Sequence, residues 1–331
     1  MKKTVSFSKH ACNVFFHILT SCNLSCAHCY INRQQHGDQT LPLATIETWL
    51  RVFANKNKVA NVIFLGGEPT LHPDLSKAIR AARAMGFNSI TVDTNGYLFH
   101  DILERIDPAQ IDFFSFSLDG ATPGTNDRIR GQGSFEACTA GIRRAVKAGF
   151  NTSLIYTVSA TNLHELPKMP ALLTTLGIDR FFIQVIGLRG KSACGARDNA
   201  QVAAPDWLKI IPQVAAAAAQ RGIVTTYPKV FLAPQDPFEC AGLVADNYFI
   251  FPNGRVYRCP LCEDFPLHSL AFEEDQLKTT AAINEADLFQ LNIPEGCVMN
   301  RLVQPENIAY NPDGSPEYRV ACCLLKEEIK S

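Results

Sequence analysis

The sequence has almost no net charge and no long apolar run, and each absence narrows the range of functions. Its 31 basic and 32 acidic side chains leave a formal charge of −1 at pH 7. Such a chain has no overall electrostatic attraction to a nucleic acid or to an anionic membrane. No stretch approaches the roughly 18 apolar residues of a membrane helix, and there is no internal repeat. We expect no nucleic-acid partner and no membrane association.

The sequence also lacks a complete export signal, although its start resembles one. Met1-Lys2-Lys3 precedes an apolar segment, and Leu19-Thr20-Ser21-Cys22 resembles a lipoprotein cleavage box. The apolar segment is too short, and Asn13 and His17 interrupt it. Twelve cysteines in 331 residues would indicate disulfides in a secreted protein. We expect instead a cytoplasmic protein whose thiols bind metal or stay reduced.

Three of the cysteines are concentrated in one short stretch. Cys22, Cys26 and Cys29 have the spacing C-x3-C-x2-C within residues 21–30. Three thiolates on one loop can bind three irons of an iron–sulfur cube and leave the fourth iron open. A zinc site and a disulfide framework are the alternatives. Structural zinc usually takes paired C-x2-C or Cys/His units, and His28 has little freedom to reach the same metal as its neighbours.

Apolar strands alternate with helices through the first two-thirds of the chain. The predicted strands span residues 13–19, 59–65, 89–93, 111–117, 152–158 and 180–186, and the helices span 43–54, 73–85, 134–148, 164–176 and 205–220. The polar motifs come where strands end, as at the carboxyl edge of a parallel sheet. From about residue 230 this pattern ends and cysteines return, so we place a domain boundary there. Pro252-Asn253-Gly254 predicts a hairpin turn beyond it.

Three motifs in this order resemble those of the radical S-adenosylmethionine (radical SAM) superfamily. They are the cysteine loop followed by Tyr30, then Gly66-Gly67-Glu68-Pro69, then Ser117-Leu118-Asp119-Gly120. The resemblance implies an α/β fold with a partial (β/α)6 barrel over residues 1–229. A small cysteine-rich α+β extension would follow over residues 230–331.

The resemblance also implies the chemistry of the site. Cys22, Cys26 and Cys29 would bind a 4Fe–4S cluster, and S-adenosylmethionine would occupy its open iron. An electron from a donor such as flavodoxin or ferredoxin would release a 5′-deoxyadenosyl radical, which takes hydrogen from the substrate. The cofactor carries this step, while the protein supplies orientation and a dry cavity.

Eight residues are candidates for binding the cofactor. Gly66 and Gly67 have no Cβ and would let the backbone approach the ligand closely. Glu68 could accept a hydrogen bond from the methionyl amine or begin a helix, Asn95 could reach the ribose or cap its strand, and Arg130 could clamp a carboxylate or lie on the surface. The full set comprises Tyr30, Gly66, Gly67, Glu68, Asn95, Ser117, Arg130 and Gln184.

The C-terminal region has six further cysteines. The pattern Cys240-x13-Gly254-x4-Cys259 resembles the start of the SPASM and twitch extensions of the family, which hold auxiliary iron–sulfur clusters. The dense C-x2-C-x5-C-x3-C stretch of a full SPASM domain is missing, so we expect one auxiliary 4Fe–4S cluster. Cys240 and Cys259 would bind it together with two of the remaining four, which are Cys262, Cys297, Cys322 and Cys323.

The sequence thus predicts a radical SAM oxidoreductase or maturase that abstracts hydrogen from a peptide or small-molecule substrate. Peptide or protein modification and the biosynthesis of a cofactor or natural product are the corresponding functions. The alternative is an iron–sulfur electron carrier or metal-binding module without catalysis. Residues 66–69 and 117–119 discriminate between them, because a carrier needs no site for S-adenosylmethionine.

Overall fold

The computed structural model describes residues 2–5, 11–56, 59–194, 201–321 and 323–331. The strands are β1 (Lys2–Val5), β2 (Ala11–His17), β3 (Val59–Leu65), β4 (Ser89–Thr94), β5 (Phe113–Ser117), β6 (Thr152–Val158), β7 (Arg180–Val185), β8 (Val224–Pro228), β9 (Phe231–Leu232), β10 (Asp246–Ile250), β11 (Arg255–Tyr257), β12 (Leu270–Glu273), β13 (Gln276–Thr279), β14 (Arg319–Val320) and β15 (Lys326–Ile329). The helices are α1 (Arg33–His36), α2 (Leu43–Ala54), α3 (Leu75–Ala84), α4 (Ile102–Arg105), α5 (Pro123–Arg130), α6 (Ser134–Lys147), α7 (Met169–Leu176), α8 (Lys191–Cys194), α9 (Ala204–Ala219), α10 (Ala241–Val244), α11 (Glu285–Phe289) and α12 (Asn300–Val303).

Thirteen of these strands form one sheet in the order β1-β15-β8-β7-β6-β5-β4-β3-β2-β10-β11-β12-β13. The eight strands from β8 to β10 run parallel. The six predicted strands are β2 to β7, and they stand next to one another as expected. The structure adds a parallel strand on each side of them, β8 and β10. In the described residues the sheet ends at β1 and β13 without closing, so the predicted open α/β barrel is confirmed.

Alternation along β2 separates the core from the inside of the barrel. Val14 and Phe16 are fully buried, and the ring of Phe16 stacks on Trp49 of α2 with ring centres 6.0 Å apart. Phe15 and His17 point to the other face and line the cavity of the barrel. Successive side chains of a strand lie on opposite faces, so one strand supplies both the core and the site.

The C-terminal region continues the sheet on both sides of the barrel. β10 pairs in parallel with β2 and turns back into β11 through Gly254, whose φ of +85° favours glycine. The hairpin predicted at this turn is confirmed. On the other side, β15 pairs antiparallel with β8 and brings Lys326 to the cavity wall. The domain boundary near residue 230 stays a prediction.

The helices pack against the outer face of the sheet. The longest in the described part of the chain is α9, with 16 residues. Its buried positions Trp207, Ile211, Val214 and Ala218 recur at intervals of three and four, which gives one apolar face. None of the described helices has both the length and the apolar character needed to cross a membrane.

Candidate active site

The parallel strands open at their carboxyl ends into one cavity of about 320 Å³. The ends of β2 to β7 form most of its wall, and β10 and β15 complete it. All the barrel residues predicted for the site line this cavity, namely Cys22, Cys26, Cys29, Tyr30, Gly66, Gly67, Glu68, Asn95, Ser117, Arg130 and Gln184. The folded chain therefore brings together motifs that lie far apart in the sequence.

The cysteine loop after β2 is held by backbone hydrogen bonds to two distant segments. Ala27 N donates to Ile129 O over 2.8 Å, at the end of α5. Lys191 N donates to Cys29 O over 2.9 Å, from the start of α8. These bonds hold the loop across the mouth of the cavity, with its three thiols facing inward.

The three thiols of the loop are near neighbours, since Cys26 and Cys29 both act on the pKa of Cys22. Among the residues that the structure describes, no three His, Cys, Asp or Glu side chains are grouped closely enough to hold a single metal ion. In a 4Fe–4S cube each cysteine binds a different iron, so the thiols stand apart. Burial raises the pKa of Cys22 to about 11 and also raises that of Cys26. Metal binding would therefore displace protons from both.

Gly66 and Gly67 pack directly against the start of the cysteine loop. A Cβ on Gly66 would lie 2.6 Å from Leu19 O, and one on Gly67 would lie 2.2 Å from Ser21 O. Neither distance is possible without moving backbone. The two glycines therefore let strand β3 approach the loop that precedes Cys22, and their predicted role beside the cofactor stays a prediction.

Asp119 connects the cysteine loop to α5 through His28 and Arg130. Its Oδ2 lies 2.6 Å from Arg130 Nε and 3.1 Å from His28 Nε2, and its Oδ1 accepts a hydrogen bond from Thr157 N over 2.7 Å. Burial by itself would raise the pKa of Asp119, but Arg130 and His28 outweigh it and hold that pKa at about 2. The carboxylate is fully buried and charged, so the Arg130 guanidinium keeps a counter-ion.

The network keeps Arg130 off the surface, while its predicted contact with a cofactor carboxylate stays a prediction. The side chain is 8 % exposed and belongs to the cavity wall, whereas the neighbouring Arg128 is exposed. His28 lines the loop through its bond to Asp119, as its position between two cysteines suggested.

Glu68 begins a short 3-10 turn, which is one of the two roles considered for it. Its Oε1 accepts hydrogen bonds from Thr70 N (3.1 Å), Thr70 Oγ1 (2.6 Å) and Thr94 Oγ1 (2.8 Å), while Oε2 accepts one from Asn95 N (2.7 Å). The residue is fully buried, and burial raises its pKa although these four hydrogen bonds lower it. Glu68 therefore joins the ends of β3 and β4 beneath the site.

Asn95 contacts the cysteine loop. Its Nδ2 donates to Asn23 Oδ1 over 2.8 Å and lies 3.8 Å from Cys22 Sγ. Ser117 and Gln184 line the cavity at the ends of β5 and β7. The contacts of these three residues with a ribose or methionyl group stay predictions.

The aromatic residue after the third cysteine is fixed by a histidine that the sequence analysis did not assign. Tyr30 Oη lies 2.7 Å from His17 Nε2, and His17 Nδ1 lies 2.9 Å from Ile250 O. A carbonyl oxygen only accepts, so Nδ1 carries the proton and Nε2 accepts from the tyrosine. Burial lowers the pKa of His17 to about 3, which keeps the ring neutral. Its signal in the sequence was a polar residue inside the first apolar strand.

Asp93 is a second cavity residue outside the predicted set. Burial raises its pKa to about 7, although a hydrogen bond from Ser115 and the charge of Lys326 act in the opposite direction. Lys326 comes from β15, at the far end of the chain, and no local pattern could have assigned it to this cavity.

Replacing Asp93 with asparagine should stabilise the protein increasingly as the pH rises above about 4, with the full effect above about pH 7. The folded-state pKa is raised, so the wild type loses stability as the pH rises from about 4 to about 7, whereas Asp93→Asn carries no charge to lose. Each pKa unit corresponds to about 1.4 kcal/mol, so the difference should approach at most about 4 kcal/mol at pH 8. Anaerobic urea unfolding at pH 5 and pH 8 measures it. Equal stability of the two proteins at pH 8 would contradict the assignment.

Five cysteines of the C-terminal region with described side chains lie near one another. Cys259, Cys262 and Cys297 are buried, and Cys240 and Cys323 are half-buried. Burial raises the pKa of Cys297, and the nearby thiols of Cys259, Cys323 and Cys240 raise it further. A hydrogen bond with Cys259 is the largest cause of the raised pKa of Cys262. Cys322 lies outside the described residues. Cys323 also lines the barrel cavity, so the two cysteine sites are neighbours.

Comparison with known proteins agrees with this geometry. The sequence profile of the radical SAM superfamily matches residues 17–173, which run from the end of β2 into α7. The segment of residues 17–173 belongs to the radical SAM superfamily. The match includes the three motifs on which the resemblance was based, and the superfamily is one of enzymes that use a 4Fe–4S cluster and S-adenosylmethionine.

Curated relatives share the same part of the chain. A probable GTP 3′,8-cyclase of Saccharolobus solfataricus is 28% identical over 183 residues, which are 54% of this chain and 59% of the cyclase. The pre-heme d1 synthase of Dinoroseobacter shibae is 29% identical over 181 residues, which are 54% of this chain and 44% of the synthase. The chain spans about half the length of these relatives.

Solved structures extend the similarity beyond the barrel. SuiB of Streptococcus suis bound to its precursor peptide SuiA has a TM-score of 0.64 and 16% identity, over 91% of this chain and 66% of SuiB. SuiB has also been solved with S-adenosylmethionine bound. At this level of identity the similarity concerns the fold, and it includes part of the C-terminal region.

Proposed function

We propose that this protein is a radical SAM enzyme that cleaves S-adenosylmethionine reductively and abstracts a hydrogen atom from a peptide or small molecule. The observation that carries the proposal is that Cys22, Cys26 and Cys29 share one cavity with Ser117 and Gln184. An electron carrier has no use for a cavity of this size beside its cluster. The family membership of residues 17–173 and the fold of SuiB support the same function.

The residues of the chain have separable tasks in this function. Cys22, Cys26 and Cys29 would hold the cluster, which with bound S-adenosylmethionine supplies the radical. The Asp119 network keeps the cysteine loop in place and sets the Arg130 side chain at the cavity wall. Apolar side chains of Leu65, Ile155, Val185 and Ile186 line the same cavity and exclude water from it.

An auxiliary 4Fe–4S cluster in the C-terminal region is part of the proposal. Cys240, Cys259, Cys297 and Cys323 are favoured as its ligands, because the thiol of Cys297 is influenced by all three others. Cys262, hydrogen-bonded to Cys259, is the alternative to Cys323.

A peptide is the substrate class with the more specific support. The SuiB structure of similar fold holds a precursor peptide. Cys323, Leu324 and Lys326 of the C-terminal region form one side of the cavity. We propose that the cavity admits one side chain of a peptide bound there as an extended segment. An electron donor such as flavodoxin or ferredoxin completes the proposed set of partners.

The test is anaerobic reconstitution with iron and sulfide, followed by addition of dithionite and S-adenosylmethionine. We expect slow formation of 5′-deoxyadenosine even without substrate, because one iron of the first cluster is open. Chromatography of the quenched mixture measures the product. Formation of S-adenosylhomocysteine alone would exclude the radical function, and a reconstituted protein that forms neither product would favour the electron carrier.

A further inference from the structure

One arginine connects the two cysteine sites. Arg189 lies in the 187–191 loop that follows β7, and its guanidinium carbon is 4.5 Å from the ring centre of Tyr30, the residue after Cys29. Its Nη1 donates hydrogen bonds to Pro260 O and to the Glu263 carboxylate. Pro260 directly follows Cys259, and Glu263 directly follows Cys262. The side chain therefore contacts the neighbours of both proposed clusters.

The backbone around Arg189 makes the same connection. Lys191 N donates to Cys29 O over 2.9 Å, while Gly190 N donates to Asp264 Oδ2 over 3.1 Å. Gly190 packs so closely on the cysteine loop that a Cβ would lie 2.6 Å from Cys29 O. Asp264 in turn accepts a hydrogen bond from Asn32 Nδ2 over 2.8 Å. A shift of either cysteine segment must therefore move the 187–191 loop.

The charges around the guanidinium are arranged for a permanent cation. Glu263 is 2% exposed and forms the ion pair with Arg189, while Cys259 and Cys323 lie close enough to raise the pKa of Arg189 as burial lowers it. The hydroxyl of Tyr30 is hydrogen-bonded to His17, and this bond holds the tyrosine ring beside the arginine. Both ends of this bridge are thus fixed by buried partners.

We propose that Arg189 is a positioning residue that couples the two cluster sites, so that an occupied C-terminal site strengthens the binding of S-adenosylmethionine at the Cys22–Cys26–Cys29 site. The inference rests on the proposed function, including the auxiliary cluster. The coupling acts through the contact of Arg189 with Tyr30 on one side and with Pro260 and Glu263 on the other. By linkage, S-adenosylmethionine must also affect the C-terminal cluster.

A double-mutant cycle tests the coupling. Cys240→Ala with Cys297→Ala empties the C-terminal site, and equilibrium binding gives the S-adenosylmethionine Kd of reconstituted protein. With Arg189 present, we expect the loss of the C-terminal cluster to raise the S-adenosylmethionine Kd about tenfold, because couplings between sites are typically about 5- to 150-fold. In the Arg189→Met background the same loss should raise Kd less than about twofold. The control is Arg128→Met, an exposed arginine of α5, which should keep the tenfold factor.

A second measurement needs no emptied site. In the protein with all cysteines present, S-adenosylmethionine should change the electron paramagnetic resonance spectrum of the reduced C-terminal cluster, and Arg189→Met should abolish that change. Arg189→Lys keeps the charge but lacks the planar guanidinium that lies over the Tyr30 ring, so it should also lose the change. An unchanged wild-type spectrum, a tenfold factor that persists in Arg189→Met, or a C-terminal site without iron would each overturn the coupling. If the wild type cleaves S-adenosylmethionine but shows no tenfold change in Kd, only the coupling is wrong. If the wild type never forms 5′-deoxyadenosine, the proposed function is wrong.

Discussion

A variant with Cys22→Ala, Cys26→Ala and Cys29→Ala should form no 5′-deoxyadenosine from S-adenosylmethionine and dithionite. The three thiols face one cavity from a single loop, and no other described cysteine of the barrel motifs could replace them as iron ligands there. Wild type should hold about eight irons and the variant about four, because each cube contains four. Iron analysis and chromatography of the same reconstituted samples measure both quantities.

The matched control is Cys12→Ala, which removes a fully buried thiol of β2 on the face away from the cavity. It should keep both the iron content and the activity of the wild type. If the triple variant has no iron at all, the C-terminal cysteines do not hold a cluster. If it still forms 5′-deoxyadenosine, Cys22, Cys26 and Cys29 are not the ligands of the reactive cluster.

The parts of the fold that could be predicted are those with a local signal. The apolar runs that became β3 and β6 have the predicted bounds, because nothing but burial between two layers explains such a run. The helix α2 also has its predicted bounds. The polar helix α5 was not predicted, since its eight residues have no apolar period and its position depends on Asp127 and Asn126 bonding to the next turn.

The candidate site also has residues that the sequence could identify and residues that it could not. Residues of contiguous motifs, such as Cys26 and Ser117, could be assigned from the sequence and line the cavity. Glu263 and Lys326 could not, because each reaches the cavity only through tertiary contacts that no spacing encodes. A buried ion pair such as Arg189–Glu263 has two members 74 positions apart, and neither is part of a recognisable motif.

Gly66 and Gly67 have a packing role in the structure besides the role predicted from their motif. From the sequence, Gly66 and Gly67 are expected to let the backbone approach the cofactor closely. In the structure the space for a Cβ on Gly67 is filled by the backbone of Thr20 and Ser21, immediately before Cys22. A side chain there must displace the loop that carries the cluster ligands.

Gly67→Ala should therefore reduce both S-adenosylmethionine binding and the iron content of the first site. The added Cβ would lie 2.2 Å from Ser21 O and 2.5 Å from Thr20 O, and backbone atoms cannot swing away as a flexible side chain can. We expect reconstituted protein to lose most of about four irons and to form 5′-deoxyadenosine at least 100-fold more slowly, as about an ångström of misplacement can cost that much. The control is Gly124→Ala in α5, where the nearest atom is 4.0 Å away and the substitution should change neither quantity. Full iron content with weakened S-adenosylmethionine binding would restore the original view that Gly67 faces the cofactor, since the loop would then have tolerated the extra carbon.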